Sequence, residues 1–105
     1  MTEINEEELY KRALRVWGKE PQMLQVIEEM SELTKEILKN VNRKKNNIDA
    51  LVEETADVEI MLGQLKCCYQ IADKIRAYKA EKLKTIAKRL DDWEQKEKEN
   101  DAEIA

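Results

Sequence analysis

The stretch Met23-Leu24-Gln25-Val26-Ile27-Glu28-Glu29-Met30-Ser31-Glu32-Leu33 decides the fold. Its apolar residues Met23, Val26, Ile27, Met30 and Leu33 recur every three or four positions and are continued by Ile37 and Val41, which is the period of an amphipathic helix. Pro21 fits the first turn of that helix, where its missing N–H forfeits no bond. Glu29 and Glu32 stand three apart on the same helix and so look in one direction.

The neighbouring segments read the same way. Upstream, Asn5 with Glu8 three positions on has the form of a capping box. It opens a helix through about Trp17 whose apolar positions are Leu9, Ala13, Leu14 and Val16, and Gly18 ends it. Downstream, the polar run Asn40 to Asn47 reads as a loop, with Asn46 or Asn47 capping a third helix. That helix carries Ile48, Leu51, Val52, Thr55, Val58, Leu62 and Leu65 as its core stripe. Beyond Cys67 the chain has no Gly or Pro. It is expected to bend between Cys67 and Asp73 and then run as a fourth helix through Arg89. The expected architecture is an all-α antiparallel helical bundle, a four-helix core completed by homo-oligomerisation. Residues 1–90 form a single domain in this reading, and 91–105 a charged, frayed tail.

Composition excludes several classes of function. Of 105 residues, 40% are charged, with no His, no Phe and a single Pro, a mix typical of long helices. The net charge of −4 argues against nucleic acid as the partner, since phosphate-tracking proteins carry a basic face. No 18-residue apolar run and no leader are present, so no membrane partner is expected and the protein is read as cytoplasmic. Adjacent Cys67 and Cys68 have poor disulfide geometry and no metal-site spacing. Without histidine there is no Ser-His or Cys-His nucleophile and no Glu-x-x-His di-iron set, so any metal chemistry is all-oxygen. In a chain this short the wide apolar stripes also exceed what one copy covers, which points to self-association.

The third helix repeats the acidic pattern at Glu53-Glu54-Thr55-Ala56-Asp57. At about 100° per residue, Glu29 and Glu32 lie near −100° and −160° from Met30, and Glu54 and Asp57 lie at about the same angles from Thr55. Both pairs therefore flank the core stripe in matching phase. Met61 continues the acid face one turn later, with Ile60 nearby, so the pair runs into apolar surface. Partly desolvated carboxylates need a cation or hydrogen-bond donors. If the two helices are antiparallel neighbours, four carboxylates converge, and a hard cation such as Mg²⁺ neutralises them well.

Glu28-Glu29-Met30-Ser31-Glu32-Leu33 followed by Glu53-Glu54-Thr55-Ala56-Asp57-Val58 resembles the signature of the MazG-like all-α nucleoside triphosphate pyrophosphohydrolases. The resemblance covers roughly residues 17 to 66. It implies Mg²⁺-dependent hydrolysis of a (deoxy)nucleoside triphosphate to monophosphate and pyrophosphate, a nucleotide house-cleaning role, with Mn²⁺ as a substitute ion. It implies a homodimer or dimer of dimers. By position Glu29, Glu32, Glu54 and Asp57 match the metal ligands, Glu28 matches the leading acid, and Glu28 and Glu29 are the catalytic pair. The family's fourth helix supplies basic residues to the phosphates, which makes Lys79, Lys82 and Arg89 candidates here. Trp17, just before the acidic helix, could stack on a base, and Gln22 and Gln25 share the acid face. The competing reading is a helical coiled-coil adaptor or regulatory module in which the acids are solvated decoration.

Overall fold

The computed structural model describes residues 3–104. It holds four helices, α1 (Glu6–Trp17), α2 (Lys19–Arg43), α3 (Ile48–Tyr69) and α4 (Ala72–Ile104), with no strand among the described residues. None of these helices is long and apolar enough to cross a membrane. Met1, Thr2 and Ala105 lie outside the described residues. The chain divides into two compact units, Met1–Gln70 and Ile71–Ala105, so the boundary falls at the end of α3 and α4 stands as a unit of its own.

Local chemistry sets the helix ends in the first unit. Asn5 caps α1, its side-chain Oδ1 accepting the Glu8 N–H at 3.0 Å. Gly18 closes the helix at φ +95°, a conformation that a side chain makes costly, and α2 starts directly after it. Asn47 precedes α3 as expected, but its side chain does not cap the helix. Instead its Nδ2 donates to the Glu36 carbonyl at 2.9 Å and to Glu36 Oε2 at 2.8 Å, while Asn40 Nδ2 donates to Asn47 Oδ1 at 3.1 Å. These bonds tie the end of α2 to the start of α3.

At the other end of the same pair, Gln22 Nε2 donates to Gln64 Oε1 at 2.6 Å, so α2 and α3 run antiparallel. α1 packs on both. Its seat on α3 is Gly63, where a Cβ would stand 2.5 Å from Tyr10 Cε2.

The seam between α2 and α3 departs from the expected core stripe. The buried residues of the unit are Ala13, Val26, Val58 and Met61 together with Gln22 and Gln64. Leu33, Leu51 and Leu65 are half-buried, but Ile27, Met30, Ile37 and Val41 on α2 and Ile48, Val52, Thr55 and Leu62 on α3 are exposed. The inward face of α2 follows Gln22, Val26, Glu29, Leu33, Glu36 and Asn40 at alternating spacings of four and three, the period of a helix pair. The acids therefore lie inside the seam rather than on its flank, and half of the apolar stripe is left facing out.

In the second unit, α4 is helical through Ile104, including the segment from Asp91 that its charge density marked as frayed. Bonds one turn apart support it: Lys88 to Asp92 at 2.8 Å, Trp93 Nε1 to Glu97 Oε1 at 3.1 Å and Gln95 to Glu99 at 3.4 Å.

Candidate metal centre

Antiparallel packing of α2 on α3 brings Glu29 opposite Glu54 and Asp57. One carboxylate oxygen from each lies within 4.8 Å of the others, and all three residues are half-buried. Gln25, one turn before Glu29, holds that carboxylate in place by donating from Nε2 to Oε1 at 2.8 Å. An open cavity of about 160 Å³ reaches the cluster, lined by Gln25, Glu29, Asp57, Ile60 and Met61.

Glu54 is the anomalous member. Its Oε2 is buried and accepts no hydrogen bond. Burial pushes its carboxyl above the ordinary glutamate range, and the negative charges of Asp57, Glu29, Glu53 and Glu32 push it the same way. Glu36, seven residues after Glu29 on the same face of α2, shows the opposite solution. The Asn47 amide and the Lys39 ammonium, 3.0 Å away, hold its carboxyl below the usual range. Two acids thus sit in one seam. The protein supplies donors to Glu36 and none to the buried oxygen of Glu54. That orphaned oxygen, in an all-carboxylate set with no nitrogen or sulfur ligand, fits a hard divalent cation.

The other residues read from the sequence stand outside this group of three. Glu32 is half-buried and near enough to raise Glu54, but its Oε1 lies 3.4 Å from Lys35 Nζ and it stands outside the group of three. Glu28 is exposed, about 100° round the helix from Glu29. Trp17 is exposed at the end of α1. Lys79, Lys82 and Arg89 lie exposed on α4, in the other unit. There Lys79 and Lys82 border an open depression with Lys74, Ile75 and Tyr78.

Glu36 and Gln64 were missed as members of the seam. A signal for both existed in the sequence: Gln22, Glu29 and Glu36 repeat at seven, as do Asp57 and Gln64, which sets each group on one line along its helix. Comparison with protein-family models, curated proteins and solved structures finds no match to this chain.

Proposed function

We propose that this chain is a Mg²⁺-dependent pyrophosphohydrolase of the MazG-like kind, converting a (deoxy)nucleoside triphosphate and water to the monophosphate and pyrophosphate. The observation that carries the reading is the convergence of Glu29, Glu54 and Asp57, with a buried Glu54 oxygen that no protein donor serves. These three residues would hold the ion, and Mn²⁺ suits the same oxygen donors. When bound, Mg²⁺ supplies positive charge to the phosphate oxygens and offsets the repulsion between an acidic site and an anionic substrate. Gln25 orients Glu29, Ile60 and Met61 supply the apolar side of the open cavity beside the carboxylates, and Glu32 extends the negative field by one turn. Lys79, Lys82 and Arg89 belong to the other unit and carry no part of this reading.

A homodimer or a pair of dimers completes the proposal. Ile27 and Val52 are 62% and 64% exposed, and Met30, Ile37, Val41 and Ile48 are exposed as well. A second copy would cover this face and build the four-helix core.

Pyrophosphate release from a panel of nucleoside triphosphates with Mg²⁺ tests the activity. Glu29→Gln, Glu54→Gln and Asp57→Asn should each lower release by roughly a hundredfold. Glu7→Gln, which removes only an exposed pair with Lys11, should leave it unchanged. Motif and control variants that behave alike on every triphosphate would sink the enzyme reading. The same exposed apolar face would then favour the helical interaction module.

A further inference from the structure

Charge is segregated along α4. From Ala72 to Arg89 the helix carries seven Lys or Arg against two acids, and from Leu90 to Ile104 seven acids against two Lys. Between these ends lies one short apolar stripe. Leu83, Ile86, Leu90 and Trp93 follow at spacings of three, four and three, which puts them on one face, and all four are exposed. Continuing the repeat by four residues in each direction reaches Lys79 on the basic side and Glu97 on the acidic side. The stripe is therefore closed by opposite charges at its two ends. Most helical stability in proteins comes from packing an amphipathic face rather than from propensity.

We propose that α4 pairs antiparallel with α4 of a second copy of this chain, about a two-fold axis at Lys88. Lys88 is the midpoint of Ala72–Ile104, so the two helices overlap along their whole length. Positions equidistant from it face each other: Ile86 meets Leu90, Leu83 meets Trp93, and Lys79 meets Glu97. The basic half of each helix then lies along the acidic half of its partner. A parallel pair would set Lys79 on Lys79, Glu97 on Glu97 and like halves on like, which is penalised at an interface. On the flanks of the antiparallel seam Lys82 neighbours Lys96, and Arg89 neighbours its own copy. Both are open to water and screened by salt. The pairing assigns Lys79 to the helix seam rather than to a substrate phosphate. It rests on α4 alone and is independent of the metal reading.

Cross-linking of the full chain tests it, in a background where Cys67→Ser and Cys68→Ser remove the native thiols. Lys79→Cys and Glu97→Cys are made separately, one of them carrying a size tag, and oxidised alone and as an equimolar mixture. Antiparallel pairing predicts that the mixture yields the disulfide-linked heterodimer while neither protein links to itself. Self-linking of each variant alone would mean a parallel pair, and no linking in any arm would mean that α4 does not meet a second copy; either overturns the proposal. Circular dichroism of each variant checks that the helix is intact. Raising NaCl from about 0.05 M to about 1 M shortens the Debye length several-fold and should lower the heterodimer yield of a second pair, Leu83→Cys with Trp93→Cys, which keeps Lys79 opposite Glu97. A yield that rises with salt would overturn the electrostatic match. Glu54→Gln should leave the cross-link unchanged, so failure of the metal site and failure of the helix pair are read separately.

Discussion

Adding Mg²⁺ to the protein and to its Glu54→Gln variant probes the centre most directly. Glu29 is on α2 and Glu54 and Asp57 are on α3, so their oxygens converge only in the folded unit and an ion held by them would bind the native state alone. Saturation at about 100 times the dissociation constant then adds about 2.7 kcal/mol. In a domain of this size each kcal/mol moves Tm by about 4–8 °C, so Met1–Gln70 should melt about 10–20 °C higher. Scanning calorimetry with MgCl₂ against NaCl of matched ionic strength isolates the effect. The pH dependence has a definite sign. Because the native Glu54 carboxyl is raised, chiefly by burial, the metal-free native state holds a proton that the unfolded chain has released. Stability of the metal-free protein should therefore fall as pH rises from the ordinary glutamate value to the raised one, and the gain from Mg²⁺ should grow over the same interval. Glu54→Gln removes one of the mutually repelling acids, so it should flatten the metal-free slope and abolish the Mg²⁺ increment. Equal responses to the two salts, or a Glu54→Gln variant that keeps the full Mg²⁺ shift, would refute the reasoning.

Three further substitutions test the packing that builds the site. Gln64→Ala leaves the buried Gln22 amide without its acceptor and should cost about 1–3 kcal/mol in denaturant unfolding, whereas Gln22→Met/Gln64→Met together should be closer to neutral; a single variant more stable than the double would contradict this. Gly63→Ala gains about 1 kcal/mol of helix propensity but forces the Tyr10 ring from its seat at a cost of about 1–3 kcal/mol. It should destabilise the native chain and stabilise a Tyr10→Ala background, and the same sign in both would exclude the contact. Asn47→Ala removes the main donor that lowers Glu36. Glu36 contributes stability above its unfolded value that is lost as pH falls through its lowered native one, so the variant should be less stable at neutral pH and show a shallower acid limb; an unaltered limb would deny Asn47 that role.

Much of the local structure was legible in the sequence. Asn5, Gly18 and Pro21 mark the ends of α1 and the start of α2 through backbone chemistry that needs no distant partner. The three-four repeats mark the helices, and the matched phase of the two acid pairs led to the expectation that Glu29, Glu32, Glu54 and Asp57 converge, of which Glu29, Glu54 and Asp57 come together and Glu32 stands outside the group. Which face each helix turns inward was a different matter. On α2 the acids and the apolar stripe lie only about 100° apart, so periodicity allows two adjacent faces and does not choose between them. Tertiary packing chose the seam through Gln22, Val26, Glu29 and Leu33, closed at one end by Gln64 and at the other by Asn47. That choice left Ile27, Met30 and Val52 outside, stripped Glu54 Oε2 of every donor, and turned Asn47 from a helix cap into a clamp on Glu36. The physical reason is one of range. A cap or a helical turn is decided by residues within four positions, whereas the environment of a carboxylate is decided by whichever distant surface packs against it.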